Sequence, residues 1–306
     1  MIATLAAERI EQQREAPPHH TPDGRWWRML LWGLLTGAFG YLYAAVLADL
    51  VADWWQDPDY SHGFLVPVLS AYFVWQRRQQ LASAPQQPHW GGFCVLFLGL
   101  VVLFLGHFGA ELFLMRISMT LVIAGVVVYV LGWHYLHLLA FPVVFLLFMI
   151  PPPAIVLNLL TFPLQLLAAK VSTFSLQLIH LPVYREGNVI FLPYVTLEVV
   201  EACSGLRSLM SLLTLAVVFA HLTQRHPWKR TLLVVSAVPI ALVANACRIW
   251  GTGVLAHLYG NKVAEGFYHA FAGWSVFVVA FVLLMLEGFV LSRLHLQRRR
   301  RQEDMP

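Results

Sequence analysis

Long apolar runs recur along this chain, and they restrict its fold more than any other feature. Hydrophobic residues make up 59% of its 306 residues and charged residues only 12%, whereas soluble domains carry about 25% charged residues. A run of about 20 apolar residues can cross the hydrocarbon core of a bilayer as an α-helix, which satisfies its own backbone hydrogen bonds there. The sequence therefore predicts an all-α polytopic membrane protein.

The predicted transmembrane domain covers residues 29–292. It follows a tail (1–28) that contains polar, histidine and proline residues and is expected to be disordered and cytoplasmic. A basic tail (293–306), also expected in the cytoplasm, follows the domain. We predict eight spans, at residues 29–50, 62–76, 93–110, 116–133, 135–150, 203–222, 231–256 and 268–292.

Four clusters of basic residues predict the orientation of the chain. They precede the first span, follow the second, separate the sixth and seventh, and follow the last: Arg25 and Arg28, Arg77 and Arg78, Arg225 with Lys229 and Arg230, and Arg298–Arg301. With eight spans all four clusters lie on one side, and cytoplasmic loops carry the excess of lysine and arginine. We therefore expect both termini in the cytoplasm and the acidic segment 53–59 outside. The same rule accounts for the net charge of +4, so no nucleic-acid partner is predicted.

Two further segments are expected at the outer surface. Residues 154–181 are apolar, but their polar residues fall largely on one helical face, which favours an amphipathic helix in the outer interface. A ninth span there would place the basic loop at 225–230 outside, against the charge rule. In the following segment, the β-prone runs 189–191 and 195–199 predict a small extracytoplasmic hairpin.

Ionisable residues inside membrane spans are costly and therefore indicate function. Under the predicted orientation, three segments place such residues near the outer ends of the last three spans. They are EACSGLRSL (201–209), NACRIW (245–250) and EGFYHAFAGW (265–274). Cys203 begins a span, where the helix dipole favours a thiolate, and Arg207 follows at i+4. In the third segment Ala272 and Gly273 would let another helix approach closely.

The residue types in these segments form a coherent set for acyl transfer. Cys203 would be the nucleophile, His269 the general acid and base, and Arg248 the donor that stabilises the oxyanion. Asn245, three residues before Arg248, would orient it or add a second donor. Each residue also has a structural interpretation: Cys203 as a small buried residue, Arg248 and His269 as anchors at the interface.

Two other uses of the cysteines were considered. Glu201, Cys203, Cys247 and His269 are acceptable zinc ligands, but a nearby arginine disfavours a dication, so neither a metal nor a cofactor is predicted. A disulfide between Cys203 and Cys247 would remove the nucleophile. His62, in the segment that enters the second span from outside, is a second candidate base.

Four motifs in this order resemble the exosortase/archaeosortase family, in its bacterial exosortase branch. They are YSHGFLVP (60–67), EACSGLRS (201–208), NACRI (245–249) and the Tyr268-His269 pair at the head of the last span. The resemblance covers residues 29–292 and implies a membrane cysteine protease or transpeptidase. The Cys, Arg and His proposed for the family correspond to Cys203, Arg248 and His269.

The resemblance also implies a substrate and a location. Substrates would be membrane-anchored proteins with a C-terminal signal: a Pro-Glu-Pro motif, an apolar span and a basic tail. Arg207 or Arg185 would pair with the glutamate of that motif, while Ser204 and Glu201 flank the thiol without an assigned role. The enzyme would lie in the inner membrane of bacteria that make extracellular polysaccharide, with its site facing the periplasm. Water, an amine or a lipid would resolve the acyl-enzyme.

Two alternative functions remain open at this point. A transporter for a polysaccharide precursor would also carry polar groups within its spans, typically through the whole depth of the membrane. A non-catalytic scaffold of an export complex would tolerate the loss of Cys203.

Overall fold

The computed structural model describes residues 25–193, 196–199, 206–259 and 267–303. The chain is predominantly helical, which confirms the all-α polytopic prediction. The α-helices are α1 (Arg25–Gln56), α2 (Leu65–Gln76), α3 (Arg78–Ser83), α4 (Gly91–Phe108), α5 (Leu112–Val130), α6 (Trp133–Phe145), α7 (Ala154–Leu178), α8 (Leu206–Thr223), α9 (Pro227–Tyr259) and α10 (Phe267–Glu303). Two 3₁₀ helices, Pro58–Phe64 and Leu146–Met149, and three strands, β1 (Tyr184–Glu186), β2 (Val189–Phe191) and β3 (Thr196–Glu198), complete the described elements.

Six helices in the described ranges are long and apolar enough to cross a membrane. They are α1, α4, α5, α7, α9 and α10. The apolar segments Trp133–Met149 and Leu209–Thr223 are shorter, and the 12 residues of α2 extend over only about 18 Å. The second, fifth and sixth predicted spans thus correspond to short helices, and the total of eight spans stays a prediction.

Helix α7 differs from the expectation for residues 154–181 in what its polar face contacts. Thr161, Gln165 and Ser172 on that face are buried, and the Ser172 hydroxyl donates to the Ala246 carbonyl of α9 at 3.1 Å. The opposite face exposes apolar side chains such as Phe162 and Phe174. Protein therefore covers the middle of the polar face, whereas Asn158, Gln177 and His180 towards its ends are exposed. Helix α7 has the length and composition of a span. Its position in the outer interface stays a prediction.

Helices α4 and α5 pack closely because glycines line their contact. A Cβ atom added at Gly92 would lie 2.1 Å from the Tyr129 nitrogen, and one at Gly125 would lie 2.4 Å from the Leu96 nitrogen. Small residues that let two backbones approach this closely are typical of helix pairs in membranes. The two helices therefore form a tight antiparallel pair.

We expect Gly92→Ala to destabilise the protein by about 1–3 kcal/mol, since the added methyl group would force the helix backbones apart. The thermal unfolding midpoint in detergent measures this effect. Gly37→Ala in α1 is the matched control, because nothing lies within 4 Å of a Cβ atom there. Equal midpoints for both variants would contradict the close packing of α4 and α5.

Helices α8, α9 and α10 form a three-helix bundle around an alanine- and leucine-rich core. Leu212 and Ala216 of α8 pack with Ala237 and Ala241 of α9, and Leu284 of α10 completes the cluster. Small alanine side chains again permit close helix packing. The segments EACSGLRSL, NACRIW and EGFYHAFAGW lie within these three helices or directly precede them in the sequence.

The hairpin predicted between 189 and 199 is present, as part of a three-stranded antiparallel sheet in the order β1-β2-β3. Glu186 pairs with Val189 across a two-residue loop, and Gly187 at φ +61° supplies the positive φ that such a tight loop requires. Ile190 and Leu192 pack with α7 and with Ile249 of α9. The sheet is therefore anchored beside the Arg248 segment.

The chain divides into two compact units, with the boundary after Ala48 within α1. In the first unit, described from Arg25, the Trp26 and Trp27 rings stack at 4.5 Å, and most apolar side chains are exposed. The elements from Asp49 onward form the second unit, which holds the segments discussed below. Helix α10 continues into the predicted basic tail as far as Glu303.

Candidate active site in the α8–α10 bundle

A small cavity of about 10 Å³ lies between α8, α9 and α10. Most of its lining is apolar, and two polar side chains, Asn245 and Arg248 of α9, contribute to it. Both come from the NACRIW segment and lie three residues apart, on one face of the helix. The cavity thus concentrates the polar groups of α9 at one place within an apolar bundle.

Asn245 is a buried residue in the lining of this cavity. The residue is 4% exposed, and neither its Oδ1 nor its Nδ2 has a hydrogen-bond partner among the described residues. An unsatisfied buried polar group costs about 1–3 kcal/mol. Such a cost is typical of residues kept for function rather than for packing.

Arg248 reaches across the cavity to helix α10. A Cβ atom at Gly273 would lie 3.6 Å from its Nη1, an ordinary van der Waals distance, so the guanidinium lies against α10 at this point. The close helix approach expected at Gly273 stays a prediction. His269 lies four residues before Gly273, hence on the same face and about 6 Å along the axis.

The thiol segment begins outside the described residues. Glu201, Cys203 and Ser204 lie there, whereas Arg207 and His269 are described by their backbone alone. Helix α8 starts at Leu206, three residues after Cys203, and packs against both α9 and α10. Their antiparallel order places the start of α8, the end of α9 and the start of α10 at the same end of the bundle. The assignment of Cys203, Arg248 and His269 as one site stays a prediction.

The basic loop between α8 and α9 lies at the opposite end of the bundle. The Gln224 side chain donates to the Gly288 carbonyl at 2.9 Å, and Lys229 donates to the Leu291 carbonyl. Arg248 and the loop cations are thus separated along the bundle, as the charge-derived orientation requires.

The YSHGF segment forms the 3₁₀ helix Pro58–Phe64, which packs against α8. The Trp54 indole holds it: Nε1 donates to the Met149 carbonyl at 2.9 Å, and a Cβ atom at Gly63 would lie 2.2 Å from that nitrogen. Only glycine leaves room for the indole at this point. His62 is therefore fixed next to the helix that follows Cys203.

The His62 side chain is held by hydrogen bonds to the backbone of Phe148 and of Asp59. These contacts fix the position of its imidazole beside α8.

Arg185 and Cys247 lie on the surface. Arg185 is exposed on the edge strand β1 and donates to the Gly187 carbonyl of its own turn. Cys247 is exposed, on a different face of α9 from the buried Asn245. Among the described residues, no three His, Cys, Asp or Glu side chains are close enough to hold a metal ion.

One buried ionic contact was not predicted from the sequence. Arg116 of α5 is 3% exposed and pairs with Asp53 at 2.6 Å. Asp53 lies directly before Trp54, so the pair helps to hold the end of α1 that supports the 3₁₀ helix. The sequence feature that could have indicated this ion pair is Arg116 itself, an ionisable residue at the start of a predicted span.

Comparison with known protein families identifies the family of this chain. The sequence model of the transmembrane exosortase family matches residues 54–286. The chain belongs to the transmembrane exosortase family. No curated protein and no solved structure matches this exosortase.

The matched range begins at the tryptophan that supports His62 and ends within α10, beyond Gly273. It thus includes the 3₁₀ helix, the three-stranded sheet and the cavity of this exosortase. The family assignment and the apolar helices together establish a multi-pass membrane exosortase.

Proposed function

We propose that this exosortase is a cysteine peptidase or transpeptidase that cleaves C-terminal sorting signals of exported proteins. The observation that carries the proposal is the cavity in which Arg248 and the unpartnered Asn245 lie one helical turn from the His269 backbone. This is a donor pair in an apolar setting, which is what stabilisation of a developing oxyanion requires.

In the proposed first step, His269 takes the proton of the Cys203 thiol, and the sulfur attacks the carbonyl carbon of the scissile peptide. The carbonyl oxygen becomes an oxyanion. The Arg248 guanidinium and the Asn245 Nδ2 donate hydrogen bonds to it. Such donors are most effective where water is excluded, because the local dielectric is low.

The tetrahedral intermediate then collapses to a thioester. The C–N bond breaks, and His269 returns its proton to the leaving nitrogen. Water or an amine or hydroxyl of an acceptor attacks the thioester, releases the thiol and gives hydrolysis or transpeptidation. His62 is a second candidate base for this step, since the 3₁₀ helix that carries it packs against α8.

The proposed substrates are membrane-anchored proteins with a Pro-Glu-Pro motif, an apolar span and a basic tail. Arg207 or Arg185 would pair with the motif's glutamate, and Ser204 and Glu201 would flank the bound motif. The proposed setting is the bacterial inner membrane of a polysaccharide-producing cell. There both termini are cytoplasmic and the site faces the periplasm. Docking of the substrate's own span would position the scissile bond.

We expect Asn245→Leu to reduce processing by about ten- to a hundred-fold while raising the thermal midpoint. The oxyanion loses a donor, whereas the bundle exchanges an unsatisfied buried amide for an apolar side chain of similar size. Cleavage of a tagged substrate in pulse-chase experiments and thermal unfolding in detergent measure the two effects.

Cys247→Ala is the matched control on the exposed face of α9, and we expect normal processing. A structural role for Asn245 would give the opposite result: lower stability together with the lost activity. Normal processing by Asn245→Leu would remove it from the proposed donor pair.

The buried polar residues of α7 would suit a transport function. Two of their hydroxyls are bonded within the protein, however: Thr161 donates to the Leu157 carbonyl and Ser172 to the Ala246 carbonyl. A transporter would continue to work with Cys203→Ala, so complementation of polysaccharide export by that variant, with normal processing of the substrate, would favour this alternative.

A further inference from the structure

The end of the bundle opposite Arg248 holds two arginines and a histidine that the proposed chemistry does not use. Arg77, which follows α2, and Arg230, in the first turn of α9, both lie within electrostatic range of His221 near the end of α8. All three side chains are half-buried. We define these three residues as the basic cluster.

The protein fixes this cluster in place. Arg77 donates through Nη1 to the Leu138 carbonyl of α6, and Arg230 donates through Nε to the Gln224 carbonyl at 2.8 Å. The His221 ring stacks on Phe141 with centroids 3.5 Å apart and planes 9° from parallel. Four helices thus bring like charges together at one point.

The charge of the cluster is not balanced within the described chain. No carboxylate there forms an ion pair with Arg77 or Arg230, and the sequence contains no aspartate or glutamate from Tyr60 to Ala110 or from Ala202 to Ala264. The carboxylate of Glu287 in α10 bonds to a serine rather than to either arginine: it accepts a hydrogen bond from Ser236 at 2.6 Å. Holding half-buried like charges together without an anion is unfavourable.

Two tryptophans indicate the depth of the cluster in the membrane. Trp75 and Trp228 are exposed on either side of it, and each has a cation over its ring, Arg78 at 4.2 Å and Lys229 at 5.6 Å. Tryptophan concentrates where headgroups meet the hydrocarbon core. The ligand available at that depth is the phosphate of a lipid headgroup.

We propose that Arg77, Arg230 and His221 form a binding site for a phosphate group, supplied by an anionic phospholipid of the surrounding leaflet. The guanidinium nitrogens that do not bond the backbone carbonyls would donate to the phosphate oxygens, a geometry that arginine favours. Basic pockets between membrane helices bind anionic headgroups in this way. The site does not depend on the proposed cysteine chemistry.

The test uses full-length protein in detergent micelles that contain either phosphatidylglycerol or phosphatidylcholine. We expect phosphatidylglycerol to raise the thermal midpoint of the wild type and to remain bound in native mass spectrometry. In Arg77→Gln/Arg230→Gln we expect about thirty-fold weaker binding, since two cations are lost. Arg78→Gln/Arg225→Gln removes the same charge from exposed residues and is expected to bind normally.

Three results would overturn the proposal: no response of the wild type to phosphatidylglycerol, equal binding by all variants, or equal weakening in both double variants. If Arg77→Gln/Arg230→Gln does not fold, Arg77→Lys/Arg230→Lys is measured instead, because it keeps the charge but loses the planar guanidinium groups. Normal phosphatidylglycerol binding by this lysine variant would likewise contradict the site. A shift with inorganic phosphate at constant ionic strength, lost in Arg77→Gln/Arg230→Gln, would support the site and assign it to free phosphate.

Discussion

Replacing Cys203 by alanine or by serine will abolish processing of a tagged substrate that carries the sorting signal. The expected loss is at least about 10⁴-fold, as for removal of the nucleophile in other covalent hydrolases. Serine is included because it keeps the size of the side chain, but a hydroxyl has a far higher pKa than a thiol and is a much weaker nucleophile in a site built to activate a thiol. The measurement is the cleaved fraction of substrate in pulse-chase experiments in cells.

Three controls distinguish a loss of catalytic activity from a loss of folded protein in the membrane. Membrane abundance of each variant is measured by blotting, and Cys247→Ala on the exposed face of α9 is expected to process normally. An impermeant thiol reagent added from the periplasm should label Cys203 in a Cys247→Ala background. Continued cleavage by both Cys203 variants would exclude it as nucleophile, and labelling from the cytoplasm alone would contradict the orientation.

Arg248→Lys will reduce processing by about 10²–10³-fold, the cost of losing an oxyanion donor. Lysine keeps the positive charge but lacks the planar fork that carries two parallel donors. The place of Arg248 in the cavity, against Gly273 and one turn from Asn245, makes the shape of the guanidinium important. Pulse-chase cleavage again measures the effect, with bound substrate quantified by crosslinking.

Arg225→Lys is the matched control, since Arg225 is exposed at the other end of the bundle. Unchanged crosslinking together with slow cleavage in Arg248→Lys would indicate a contribution to the transition state. Weak crosslinking with normal cleavage of the bound fraction would assign Arg248 to substrate binding, contrary to the proposal.

The sequence predicted the helices well because apolar length and basic flanking residues are local signals. The polar face of α7 was also visible, but periodicity shows only that such a face exists. Whether water or another helix covers it depends on residues far along the chain, here Ala246.

Other features could not be predicted because they depend on tertiary contacts. Strand β1 consists of three exposed residues, two of them charged, so it has no alternating pattern. The Asp53–Arg116 pair joins residues 63 positions apart in the sequence. That the Asn245 amide has no partner among the described residues becomes evident only once three helices surround it.

The glycine-lined contact of α4 and α5 has a consequence for the order of assembly. The two helices are consecutive and joined by only a few residues, so their pairing has a low loop-closure cost and precedes contacts between distant segments. We expect this hairpin to form in the membrane while the ribosome is still synthesising the last three helices. The nascent chain would then add its last three helices after this pair is already assembled.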